Sequence, residues 1–190
     1  MRLVRRVDSL ENVTESKRRP KKWTKELREW LTAIVVAVVL SLLIQNYAFA
    51  QVQVFNISMQ NTLVEGQRLF EDKLSYHLTV PKRGEIVIIN SKEEHRNLVK
   101  RVIGLPGETI DFRDGSVYIN DVKLDETYAK GQTFPNNFKT PYVVPEDHVF
   151  VLGDNREHSE DSRVFGAVSY SDIDGRVLFR VWPLNKFGSI

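Results

Sequence analysis

Leu98-Val99-Lys100-Arg101-Val102-Ile103 is the stretch on which the fold turns. Four aliphatic residues bracket two cations, and an extended chain sends successive side chains to opposite faces. Lys100 therefore shares a face with Leu98 and Val102, and Arg101 takes the other. On an edge strand such a lysine reaches water. Buried, it loses the water that stabilises an ammonium, and the neutral amine that results is a general base in need of a nucleophile. The spacing by itself leaves both readings open.

The chain on either side, from Gln51 onward, has the same period of two. Val52 and Val54 alternate with Gln51 and Gln53; the run Gly84 to Ile89 follows Pro81-Lys82-Arg83; His148 to Leu152 follows Val144-Pro145. Asp114-Gly115 and Asn120-Asp121, set between short apolar runs, have the chemistry of hairpin turns. Thr127 to Pro141 reads as a surface excursion, and Asp174-Gly175 as a turn into a strand, Arg176 to Trp182, that Pro183 stops. The expected fold is mostly β and antiparallel over residues 51–190, with a hairpin-rich insertion at about 108–147. There is no internal repeat and no low-complexity tract.

The 190 residues hold no cysteine, which excludes disulfides, thiolate metal sites and a cysteine nucleophile. The net charge of +2 is uneven: Met1 to Glu29 carries ten Lys or Arg against five Asp or Glu. The basic character is local, and nothing in it marks a nucleic-acid partner. From Trp30 to Ala50 there is no charge, and about 20 such residues cross a bilayer core as a helix. Residues 1–29 are thus expected to be cytoplasmic and 30–50 to be a single transmembrane signal anchor, with the rest outside the membrane. Two rival readings remain. Ala48-Phe49-Ala50 before Gln51 has the form of a signal-peptide cleavage site, and the apolar run could also be a buried core helix. The acids in the N-terminal segment and Trp30 favour retention.

Two further stretches can carry chemistry. Ser58 lies between Ile57 and Met59, eight residues past Ala50, within ~26 to 29 Å of it even if fully extended. Its bland reading is a turn serine with a local hydrogen bond. Gly153-Asp154-Asn155-Arg156-Glu157-His158-Ser159-Glu160-Asp161-Ser162-Arg163 is a charged loop hung on an apolar strand, a common way to place functional groups on a rigid base.

Together these stretches, over about Leu31 to Ile190, resemble the bacterial type I signal peptidases. A transmembrane segment, a Ser-Met pair soon after it, a lysine followed by Arg-Val-Ile-Gly and a Gly-Asp-Asn-Arg run ending in Asp-Ser-Arg occur in that family's order. The resemblance implies an antiparallel β-sheet catalytic domain behind one N-terminal transmembrane helix, and a membrane-anchored serine endopeptidase that needs no cofactor or metal. Its partners would be the signal peptides of exported preproteins, cut after small-x-small sites, and the lipid bilayer. Ser58 would be the nucleophile and Lys100 the general base. Ser159 matches a serine that helps hold the lysine, Asp161 and Arg163 a supporting ion pair, and Asp154 would pair with Arg101 to brace the lysine's strand.

The sequence departs from the family at two positions. Asn61 stands where proline is usual, and Asn56 where family members often carry serine or glycine; if a side chain there assists the oxyanion, Asn56 is expected to do so through its amide N–H. His77 and His95 lie in polar surroundings, His148 begins a strand and His158 sits in the acidic loop, so that a Ser58–His158 pair is the rival dyad. No His-Glu-x-x-His and no Ser-x-x-Lys is present. Phe55, Ile57, Met59, Trp182 and Phe187 could form an apolar surface resting on lipid or pack in the core. A non-catalytic assembly factor for surface proteins and a self-cleaving regulator are the competing functions. The retained Ser58 and Lys100 weigh against the first, and the absence of a DNA-binding module before the dyad against the second.

Overall fold

The computed structural model describes residues 22–47, 49–91 and 96–190. It divides into two compact units, Met1–Ser41 and Leu42–Ile190. Helix α1 spans Lys22–Tyr47, and its apolar side chains from Leu31 to Leu43 are exposed. Among the described residues no helix is long and apolar enough to cross a membrane. Ala48 of the small-x-small tripeptide lies outside the described residues.

The second unit is almost entirely β. Its strands are β1 (Phe49–Gln53), β2 (Arg68–Asp72), β3 (Ile86–Ser91), β4 (Arg96–Gly104), β5 (Thr109–Arg113), β6 (Ser116–Ile119) and β7 (Val122–Lys123). They continue with β8 (Tyr142–Val143), β9 (His148–Leu152), β10 (Val168–Ser169), β11 (Ile173–Trp182) and β12 (Gly188–Ser189). A one-turn helix, α2 (Ser162–Phe165), lies between β9 and β10. The larger sheet runs β1-β2-β11-β3-β4-β9-β10, with β12 added beside β11; the smaller runs β7-β6-β5-β8. Every strand pairing within both sheets is antiparallel. The two turn dipeptides behave as their chemistry requires: Asp114, Gly115, Asn120 and Asp121 all take positive φ, the conformation that tight hairpins matching strand twist demand.

The central strands are apolar on both faces because both faces are covered. Val87 and Ile89 on β3, Leu98 and Val102 on β4, and Val149 and Val151 on β9 form one core. Ile86, Ile88 and Val99 point the other way and meet Val54, Met59, Leu63 and Leu69. Farther along that second face, Ile103, Phe150 and Leu152 pack on Ile110, Phe112, Val117 and Ile119 of the smaller sheet. On β1, β2 and β11 one outer face carries an aromatic ladder, with Phe70 stacked on Phe49 at 5.0 Å and on Phe179 at 4.8 Å.

Two segments differ from their sequence reading. Asp174-Gly175 is not a turn but lies within β11, where the register against β3 slips between Ile173 and Gly175. A Cβ at Gly175 would lie 2.7 Å from Asp72 O and 2.8 Å from the Glu71 carboxylate, so only glycine lets β11 approach β2 here. Thr127 to Pro141 is not only a surface excursion: Thr133 is buried, and the Tyr128 ring lies 4.1 Å from the Arg101 guanidinium.

Glu71 is the misfit of this core. It faces Ala50 on β1 and Val177 on β11, is fully buried, and neither carboxylate oxygen has a hydrogen-bond partner among the described residues. Burial first, and then the neighbouring Asp174, push its carboxyl up to about 7 against the opposing pull of Lys73. Between pH 4.5 and about 7 the unfolded chain releases this proton while the folded one retains it, so the folded state loses stability as pH rises through that window. Glu71→Gln should remove the slope, gaining on wild type by up to about 3 kcal/mol from acid to neutral pH. Urea midpoints across the window check this, and a difference between the two proteins that is independent of pH would refute it.

Candidate active site

The turn after β1 is anchored before it is reactive. Val54 N–H donates to Gln67 O and Gly66 N–H to Val54 O, each at 2.9 Å, which closes the base of the loop. Inside it, Gln60 N–H reaches Ile57 O at 3.0 Å and Leu63 N–H reaches Met59 O at 2.8 Å. Met59 and Leu63 have no exposed surface, so the apolar residues on either side of Gln60 pin the turn to the core. Met59 therefore belongs to the core, whereas Phe55, Ile57, Trp182 and Phe187 are exposed.

Ser58 and Lys100 line one cleft of about 390 Å³, together with Asn56, Ile57, Leu98 and the 157–160 stretch. Ser58 is 4% exposed and Lys100 1%, which excludes the edge lysine reaching into water. β4 lies inside the sheet, but its ladder to β9 stops at Arg101–Leu152, while its ladder to β3 continues to Arg96. At Lys100 the strand thus has a partner on one side and the cleft on the other. The Ser58 hydroxyl donates to Asn56 Oδ1 at 2.8 Å. Asn56 thus holds the serine as an acceptor, which leaves its amide N–H group without a partner among the described residues.

On the opposite face of β4, Arg101 makes the expected ion pair: Nε reaches Asp154 Oδ1 at 2.8 Å and Nη2 reaches Asp154 Oδ2 at 2.7 Å. Nη1 also reaches Gly84 O at 2.8 Å, and the Thr62 hydroxyl donates to Asp154. This links the lysine's strand to the serine's turn. Asp161 and Arg163 pair as expected, at 2.9 Å through both Nε and Nη2. Asp161 also accepts from Gly153 N–H at 3.1 Å and caps α2, so the pair shapes the loop. Ser159 lines the cleft, yet its hydroxyl is buried without a hydrogen bond among the described residues. It is pressed against Gly153, where a Cβ would lie 2.2 Å from Ser159 Oγ and 2.5 Å from Ser58 O.

Asn61 has φ of +117°, a value closed to proline, and its side chain donates to Tyr128 O at 2.9 Å. The turn after the serine is a different turn from one built on proline, tied to a remote segment. Two contributors escape the sequence reading. Asn155, inside the quoted Gly-Asp-Asn-Arg run, donates its backbone N–H to Ser58 O at 2.9 Å and its side chain to Ile57 O at 3.1 Å. Tyr128, under Arg101, belongs to a stretch with no local signal. Buried Arg156 forks onto Glu126 at 2.6 and 2.9 Å and ties that stretch to the same loop. His158 is exposed in the cleft; the His77 side chain and His95 lie outside the described residues. Among the described residues no cluster of His, Asp or Glu is built to hold a metal.

The chain has counterparts among known proteins. The family described as signal peptidase, peptidase S26, matches residues 27–182. A signal peptidase I of Bacillus licheniformis is 40% identical over 184 residues, covering 92% of this chain and 97% of that protein. A signal peptidase IB of Staphylococcus aureus is 32% identical over 179 residues, covering 86% and 93%. A crystal structure of a signal peptidase I from Enterococcus faecalis covers 52% of this chain and 97% of its own, at 36% identity and a TM-score of 0.46. With the match extending from within α1 to the end of β11, the chain belongs to the signal peptidase family, peptidase S26.

Proposed function

We propose that Ser58 is the nucleophile and Lys100 the general base with which this chain, a serine endopeptidase of the family, removes N-terminal signal peptides from exported preproteins. The observation that supports this most is the pairing of a buried lysine and a nearly buried serine in one cleft. A lysine without water favours the neutral amine, whose lone pair can accept the Ser58 proton. For that transfer the hydroxyl turns from Asn56 Oδ1 toward Lys100. Ser58 Oγ then bonds to the carbonyl carbon that ends the signal peptide. As the tetrahedral adduct collapses, the Lys100 ammonium gives its proton to the departing amine. The same lysine next deprotonates water, which attacks the ester and frees Ser58.

The substrate's geometry follows from β4. Among the described residues the β9 ladder accompanies β4 only from Arg101 onward, and an extended peptide can add as a strand along the stretch ahead of it. Ile57 and Leu98 are the apolar lining of the cleft, in keeping with small side chains before the cut. The Ser58 backbone N–H and the Asn56 amide N–H are the donors for the oxyanion. Ser159 acts by filling the space beside Gly153, and the Arg101–Asp154 and Asp161–Arg163 pairs hold the two loops.

In this reading residues 1–29 are the cytoplasmic segment, and the signal anchor, expected over 30–50, ends with α1 at Tyr47; the uncharged run behind the basic cluster supports it. The exported catalytic domain begins with β1 at Phe49 rather than at 51 and runs to Ile190. The Ala50–Gln51 bond lies within β1, paired to Glu71 and Phe70, which opposes self-cleavage there. Exposed Phe55, Ile57, Trp182 and Phe187 offer an apolar surface to lipid.

Detergent-solubilised enzyme and a preprotein test the dyad. Ser58→Ala and Lys100→Ala should each lower kcat on the order of 10⁴- to 10⁶-fold, while His158→Ala cleaves normally; equal processing by wild type, Ser58→Ala and Lys100→Ala would sink it. Since the base must be unprotonated, cleavage by wild type falls on acidification. Asn56→Ala removes one oxyanion donor and should cost about 2.7–4 kcal/mol, or about 10²- to 10³-fold in kcat. Unchanged turnover in that variant would assign Asn56 to holding the serine only.

A further inference from the structure

Asn155 has no part in the steps above, yet it holds the two carbonyls that flank the Ser58 Cα, Ile57 O and Ser58 O. It is 2% exposed. Its Nδ2 donates to Ile57 O at 3.1 Å and more weakly to Gln60 Oε1 at 3.4 Å, while its backbone N–H donates to Ser58 O at 2.9 Å. Gln60 is held in turn by Lys130 Nζ at 3.3 Å. The Ile57 carbonyl and the Ser58 N–H belong to one planar trans peptide, since the cis bonds are at Thr140–Pro141 and Trp182–Pro183. In a trans peptide the C=O and N–H point in opposite directions. Pulling Ile57 O toward Asn155 therefore turns the Ser58 N–H away from Asn155. Among the described residues nothing accepts from that N–H, and Asn155 lies outside the cleft that Ile57 and Ser58 line.

We propose that Asn155 is a positioning residue that aims the Ser58 N–H at the oxyanion by holding the carbonyl at the other end of the same peptide. The proposal rests on Ser58 as nucleophile. Nothing in it requires Asn155 to touch substrate. Its side-chain donor acts on direction only, because the backbone bond to Ser58 O survives any non-proline substitution at 155.

Asn155→Asp keeps the shape and the backbone donor but sets an acceptor against Ile57 O. A misplacement on the order of 1 Å at a reacting centre costs about 10²-fold. Asn155→Asp should accordingly lower kcat by about 10- to 100-fold with KM within about twofold, while the buried carboxylate set against Ile57 O lowers the melting temperature as well. The decisive probe is a peptide aldehyde ending in alanine. Ser58 Oγ, its proton passing to the Lys100 amine, bonds to the aldehyde carbon; the carbonyl π pair moves onto the oxygen, which takes the oxyanion's place. Its affinity should fall in parallel with kcat/KM, which a loss of mere loop stability would not produce. Asn155→Ala, judged by the same ratio, serves if the aspartate variant fails to fold. Wild type that ignores the aldehyde removes the Ser58 reading itself. Wild type that binds it, beside variants that bind it equally well, overturns the role of Asn155 alone.

Discussion

The alternation of side chains along β4 is the constraint on which the site depends. Lys100 and Arg101 are adjacent cations that a pleated strand must send to opposite faces. Both are buried, so each face has to resolve a different electrostatic problem. Arg101 is always charged and receives a full bidentate carboxylate, a backbone carbonyl and an aromatic face. Lys100 can become neutral, and its face is lined with Leu98, Val102 and the cleft. A single strand thus sends one ion-paired cation to one face and one cleft-lining lysine to the other by the same period of two.

The remaining architecture brings a serine to that amine from far away in sequence. β9 leaves the sheet after Leu152, and this departure opens the edge of β4 at the cleft. The chain that departs is not wasted: Gly153, Asp154 and Asn155 turn back on Ser58, Arg101 and Ile57 respectively. Gly153 is required because Ser159 Oγ and Ser58 O occupy the volume a side chain would take. Buried ion pairs at Arg101, Arg156 and Arg163 stiffen the loop. Each is costly to desolvate and more costly to break singly, which suits geometry better than net stability.

Glu71 belongs to a different economy. A carboxyl without a hydrogen-bond partner among the described residues, at the junction of β1, β2 and β11, has no counterpart in the logic of the cleft. Its burial follows from its register beside Leu69 on the inward face of β2, and Gly175 is the accommodation the neighbouring strand makes to it.

Composition and period sufficed for the antiparallel strands, the two hairpin turns and the shared face of Leu98, Lys100 and Val102, because burial and turn conformation are local demands on each residue type. The order of the Ser58, Lys100 and Gly153–Arg163 stretches carried the family resemblance, which the relatives' similarity over most of the chain bears out. Other features were settled only where distant segments meet. Tyr128 under Arg101, Asn61 bound to Tyr128 O, Ser159 packed against Gly153, and Asp174-Gly175 inside a strand have no local signature. Sequence therefore determined which side chains could do chemistry, since that is a property of residue type and alternation. Tertiary structure decided which hydroxyl, carbonyl and N–H are aimed at one another, since direction is set by hydrogen bonds between segments up to a hundred residues apart.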